Sequence, residues 1–100
     1  MIKHIVMWRL KDKAEGGTAA QNAAKMKTML EALKDTIAVL KDIEVGIDIL
    51  KASPPCTVIL HSAVATPADL ETYQMHPNHQ ACLAFIKKVV AERRVVDYRI

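Results

Sequence analysis

The chain has 100 residues, 51% of them hydrophobic but only 4% aromatic, with a net charge of +3 and a pI near 9.0. Its lysines are scattered and its aromatics too few to stack on bases, which argues against nucleic-acid binding, and no apolar run nears the ~18 residues of a membrane span. One domain over residues 1–100 is expected, and the surplus of Ile, Val, Leu, Ala and Met in so small a chain calls for a second buried surface, most simply that of a homo-oligomer.

Met1 to Leu10 alternates, with Ile2, His4, Val6, Trp8 and Leu10 on one face and Lys3, Ile5, Met7 and Arg9 on the other, the pattern of a strand covered on both sides. His4 breaks the more apolar face; it is either a satisfied core-edge histidine or a polar group lining a pocket. The start MIKHIVMW reads as this strand and not as a signal sequence. Lys11 to Gly17 is a polar turn, after which Thr18 and Gln21 form a capping-box pattern. Ala23, Met26, Leu30, Leu33 and Ile37 then follow at helical spacing, predicting one long helix apolar on one side.

From Val39 the period becomes two. Ile43, Val45, Ile47 and Ile49 face one way, and Gly46 inside the strand implies a bulge or a close backbone approach. Glu44 and Asp48 on the other face read as solvated edge charges rather than a catalytic carboxylate pair. Ser53-Pro54-Pro55 interrupts the chain, and Cys56 to Ala65 suits a central strand with His61 as its one ionisable group. Cys56 and Cys82 form no CxxC and are taken as reduced thiols in a cytoplasmic protein.

Thr66 to Val90 concentrates the polar chemistry. Thr66 caps a short helix with Pro67 at its first position, and the pre-proline restriction at His76 ends that helix near Met75. Asn78 offers a second cap, after which Cys82, Leu83, Ile86, Val89 and Val90 recur at helical spacing, with Lys87, Lys88 and Glu92 turned away. His79 thus falls in a first helical turn, where free amides disfavour positive charge and keep the imidazole neutral. A neutral imidazole accepts protons, and Tyr73 can supply a phenolic donor to the same space. His76, His79 and Cys82 at intervals of three suggest metal ligands, but Pro77 breaks the helix that would align them, so no metal is expected. Val95 to Ile100 closes the chain as a strand.

The order strand, helix, strand, strand, helical segment, strand predicts an α+β, ferredoxin-like βαββαβ fold, a four-stranded antiparallel sheet with helices on one face. Because both faces of the first and third strands are apolar, two sheets are expected to pair face to face into a dimeric α/β barrel.

MIKHIVMWRLKD, IEVGIDI, ADLETYQMHPNH and VVDYRI, in that order over the whole chain, resemble the stress-responsive dimeric α/β-barrel (Dabb) family, whose best-understood members are similar to olivetolic acid cyclase and close a linear polyketide without a cofactor. The resemblance implies catalytic roles for Tyr73 and His79. It implies substrate-binding roles for His4, His76 and Asp97, the aspartate fixing the tautomer of His79. The chain departs from the family pattern at Cys56-Thr57, Val64 and Ala38-Val39, which bears on pocket shape and substrate. The expected function is a homodimer binding a small hydrophobic or carbonyl-containing molecule, with a cofactor-free lyase, cyclase or isomerase step. The alternative is a non-catalytic stress-responsive dimer that binds a hydrophobic metabolite or only a protein partner.

Overall fold

The computed structural model of the protein describes residues 1–50 and 57–100. Strand β1 (Ile2–Leu10) is followed by a hairpin of two short strands, β2 (Lys13–Ala14) and β3 (Gly17–Thr18), then by helix α1 (Ala19–Glu31) and a 3-10 turn at Ala32–Asp35. Strands β4 (Leu40–Ile47) and β5 (Thr57–Val64), helices α2 (Pro67–Met75) and α3 (Pro77–Val89), and strand β6 (Val90–Arg99) complete it. The sheet order is β4-β5-β1-β6 with every pairing antiparallel, the ferredoxin-like arrangement expected from the sequence. The Ser53-Pro54-Pro55 break and Cys56 lie outside the described residues.

Alternation in β1 decides the layers. Ile2, His4, Val6, Trp8 and Leu10 are all buried beneath the helices. Helix α1 starts from a complete capping box, Thr18 Oγ1 accepting from Gln21 N while Gln21 Oε1 accepts from Thr18 N. Its apolar stripe, Ala23, Met26 and Leu30, continues through Leu33 and Ile37 into the core, but the α-helix stops at Glu31 and the last turns tighten. Fully burying a side chain such as Leu30 contributes about 1.5–3 kcal/mol.

Two sequence expectations shift. Strand β4 ends at Ile47 rather than Ile49, which is 84% exposed, because the Asp48 carboxylate accepts from Leu50 N and turns the chain. Gly46 marks a close approach: a Cβ there would stand 3.1 Å from Ile59 Cγ2, while the register shift lies at Leu40 to Asp42. Strand β6 begins at Val90, directly on the end of α3, so Val90 and Glu92 belong to the sheet.

The sheet face away from the helices is apolar at its centre. Ile59 stands opposite Met7 and Ile5 opposite Val96, with Arg94 and His61 completing the two rows, and Met7 and Val96 are exposed, as are Met1, Tyr98 and Ile100. No helix among the described residues is long and apolar enough to cross a membrane.

Candidate active site

The site is built where α2 hands over to α3 above the centre of β1. Thr66 caps α2, its Oγ1 accepting from Asp69 N at 3.1 Å, and Pro67 occupies the first turn, where a missing N–H costs nothing. Helix α2 ends at Met75 because His76 precedes Pro77 and takes extended backbone angles, φ −60° and ψ 135°. The cap of α3 is then His76 and not Asn78: its Nδ1 accepts from Asn78 N at 3.1 Å, with Pro77 at the first helical position. His76 is thereby committed to a structural bond at the edge of the site.

Termination of α2 frees the Gln74 carbonyl, which loses its helical donor because Asn78 N–H turns to His76. His79 Nδ1 donates to that carbonyl at 3.0 Å, and Gln80 Nε2 also donates to it. A carbonyl only accepts, so the neutral imidazole carries its proton on Nδ1 and leaves a lone pair on Nε2. His79 is 6% exposed, and burial, the largest cause, pushes its pKa below 6.5; the bond to Gln74 opposes this, while the charges of His4, Arg93 and His76 add to it. The imidazole is therefore an uncharged proton acceptor at neutral pH.

Tyr73, fully buried on α2, stacks at a tilt on His79 with ring centroids 4.6 Å apart and meets His4 edge-on at 6.1 Å. Burial pushes its phenol up to about 12, with the neighbouring Ser62 hydroxyl working the other way. Ser62 Oγ gives its own hydrogen to the His4 carbonyl at 3.0 Å, and the Tyr73 hydroxyl is left buried without a hydrogen-bond partner.

Beneath the rings, strand register sets Ser62, His4 and Asp97 in one row across β5, β1 and β6. Asp97 accepts from His4 Nδ1. The sequence-based reading that Asp97 would orient His79 is thus corrected: β1 and β6 are neighbours and His4 stands directly opposite Asp97, whereas His79 takes its tautomer from the Gln74 carbonyl.

A cavity of about 140 Å³ opens beside these groups, with His4, His79, Gln74 and Gln80 as polar wall and Val6 and Leu60 among the apolar wall. Tyr73 is not on its wall but stands behind the two imidazoles. Trp8 and Arg93 also line it, and sequence reasoning missed both as site residues, as it missed Gln74 and Ser62. For Trp8 the signal was there, a lone tryptophan on the same face of β1 as His4. Among the described residues no group of three His, Cys, Asp or Glu side chains is placed to hold a metal ion.

The family model described as Stress responsive A/B Barrel Domain (Dabb) matches residues 2–100. In structure the chain is similar to a dimeric protein of ferredoxin-like fold from Bacteroides fragilis, with a TM-score of 0.86, 27% identity, and coverage of 99% of this chain and 95% of that one. It is similar to a dimeric ferredoxin-like protein from Thermobifida fusca at a TM-score of 0.84 and 26% identity, covering 99% and 90% of the two chains. A hydroxynitrile lyase from Passiflora edulis shares the fold at a TM-score of 0.82 and 16% identity, over 99% and 92% of the chains. The chain matches no curated protein in sequence.

Proposed function

The chain belongs to the stress responsive A/B barrel (Dabb) family, and on that premise we propose that it is a homodimeric, cofactor-free acid-base protein acting on a small carbonyl compound. His79 Nε2 takes a proton from the carbon next to the carbonyl, and the C–H electron pair moves into an enolate. Tyr73, behind the two imidazoles, hydrogen-bonds the enolate oxygen where His4 and His79 part to admit it. With a pKa of about 12 its phenol keeps the proton and acts as a donor rather than an acid. The proton held on His79 then returns to carbon, giving exchange or isomerisation, or the enolate carbon attacks a second carbonyl, closing a ring, and the alkoxide so formed takes the proton from His79. His4, held by Asp97, lines the inner end of the cavity where the carbonyl oxygen enters between the imidazoles, and His76 fixes the start of α3.

The observation that carries this reading is the free Nε2 of a buried, uncharged His79 on a cavity wall, with an unpartnered phenol stacked against it. Pairing of two sheets through Ile5, Met7, Ile59 and Val96 supplies the cover that face lacks, and the dimers formed by the Bacteroides and Thermobifida proteins support it. A free, buried Cys82 fits a reducing, cytoplasmic setting.

The test is deuterium uptake next to the carbonyl in a panel of ketones and diketones, followed by proton NMR in D2O. The wild-type protein should catalyse exchange, and His79→Ala should lose at least about a hundredfold, the usual contribution of a positioned base. Equal exchange by wild type, His79→Ala and Tyr73→Phe would remove the catalytic role. Tyr73's position behind the cavity wall favours one rival, a non-catalytic dimer that binds the ketone; ligand-induced thermal stabilisation without exchange is its signature.

A further inference from the structure

The cavity beside His79 continues outward. Trp8, Leu83, Ile86 and Arg93 line both it and an adjoining groove of about 420 Å³ between α3 and β6, to which Lys87 and Val90 add their side chains. The register of β1 and β6 sets Trp8 directly opposite Arg93, so indole and guanidinium are cross-strand neighbours on the helix-facing side. Trp8 is 3% exposed, and its indole N–H is buried with no acceptor. An indole nitrogen only donates, and a donor left unpaired away from water is costly. Arg93 and Lys87 are exposed and, like several other cations of this chain, have no acidic partner among the described residues; what distinguishes them is that they line the same groove as the indole. One buried donor and two cations therefore share a groove that supplies them no acceptor, and Arg93 lies near enough to His79 for its charge to bear on that imidazole.

We infer that the groove receives the carboxylate of an oxo-carboxylic acid, gripped by the Arg93 guanidinium and the Trp8 indole N–H, while its carbonyl end lies at His79. This rests on the carbonyl acid-base reading given above. A guanidinium presents a planar fork that matches two carboxylate oxygens, the indole adds a third donor, and Lys87 contributes charge at the mouth. Leu83 and Ile86 between the two ends suit an alkyl spacer. Arg93 and Trp8 are then specificity-determining residues that touch a part of the substrate remote from the reacting carbon.

Trp8 is the sole tryptophan, so its fluorescence reports occupancy directly. The probes are medium-chain oxo-octanoates, their methyl esters and octyl phosphate, titrated into wild-type and Arg93→Gln protein. The wild type should bind an oxo acid at least about tenfold more tightly than its ester, the scale of one charge-assisted hydrogen bond. Arg93→Gln should erase that preference by weakening the acid and leaving the ester unchanged. Trp8→Phe, followed by thermal shift, should weaken the acid as well. Equal binding of acid and ester, a preference that survives Arg93→Gln, no binding of any oxo acid, or tighter binding of octyl phosphate than of the acids would each overturn the assignment. Selective binding of the acid without deuterium uptake leaves the carboxylate site standing and removes only the catalytic reading.

Discussion

Deleting the Tyr73 hydroxyl should raise stability while it lowers activity. The side chain is fully buried between His4 and His79, yet its hydroxyl makes no hydrogen bond to any neighbour. A hydroxyl buried without compensation costs about 1–3 kcal/mol. Tyr73→Phe keeps the ring and removes that cost, so the unfolding free energy should rise by about 1 kcal/mol, with a Tm increase of about 4–8 °C for a domain of this size. Tyr73→Ala, which also empties the space of the ring, should lose about 3–5 kcal/mol. Urea titration followed through Trp8 fluorescence measures both, at one protomer concentration because association shifts apparent stability. Proton exchange should fall by about a hundredfold in Tyr73→Phe, as when one oxyanion donor is lost. A loss of more than about 1 kcal/mol in Tyr73→Phe would mean that the hydroxyl is held by a protein group and is not waiting for a ligand oxygen.

Burial holds His79 below its ordinary 6.5, so the unfolded chain takes up a proton that the folded protein refuses. Stability is therefore whole above pH 6.5 and declines as the pH falls below it, and His79→Gln should flatten the decline in urea titrations run at a series of pH values; an unaltered slope would contradict the burial argument. The acid limb of exchange activity should likewise lie below pH 6.5. Asp97→Asn keeps an acceptor for His4 and should cost less than about 1 kcal/mol, against about 1–2 kcal/mol for Asp97→Ala, with solvent screening limiting both. In both variants the acid limb set by His79 should move only through His4, whose charge bears on that imidazole; loss of the limb altogether in Asp97→Asn would contradict this geometry. Val96 is 60% exposed, so Val96→Lys should alter the stability of a lone protomer by no more than about 0.5 kcal/mol yet convert dimers to monomers in sedimentation; a persisting dimer would place the interface elsewhere.

Much of the frame was legible because it depends on local rules. Alternation in Met1 to Leu10, the Thr18 and Thr66 caps and the helix break before Pro77 each follow from one residue's backbone or hydrogen-bonding preference, and each recurs in the structure. Errors came where two local signals competed. Asn78 is a better capping residue than histidine in general, but Pro77 can occupy the first helical turn, which hands the cap to His76. Val90 continues the helical period that ends at Val89 and also begins a strand, and its ladder partner Leu10 decides for the sheet. The β2–β3 hairpin was hidden in a polar turn, where Glu15 and Gly16 take positive φ. Site contacts across strands were the least legible. Asp97 meets His4, and Arg93 meets Trp8, only because β1 lies between β5 and β6, and spacing along the chain carries no record of that neighbour relation.

The seamless passage from Val89 to Val90 makes α3 and β6 a single stiff caliper. One jaw carries His79 and the other Arg93 and Asp97, so the span between the proton acceptor and the cations is set by chain geometry with no hinge to adjust it. One residue inserted at the joint would turn every β6 side chain over. Arg93 and Asp97 would leave for the sheet's far side and Val96 and Tyr98 would crowd in under the helices, so a single lengthening would disarm the pocket and strip the opposite face of its apolar patch together.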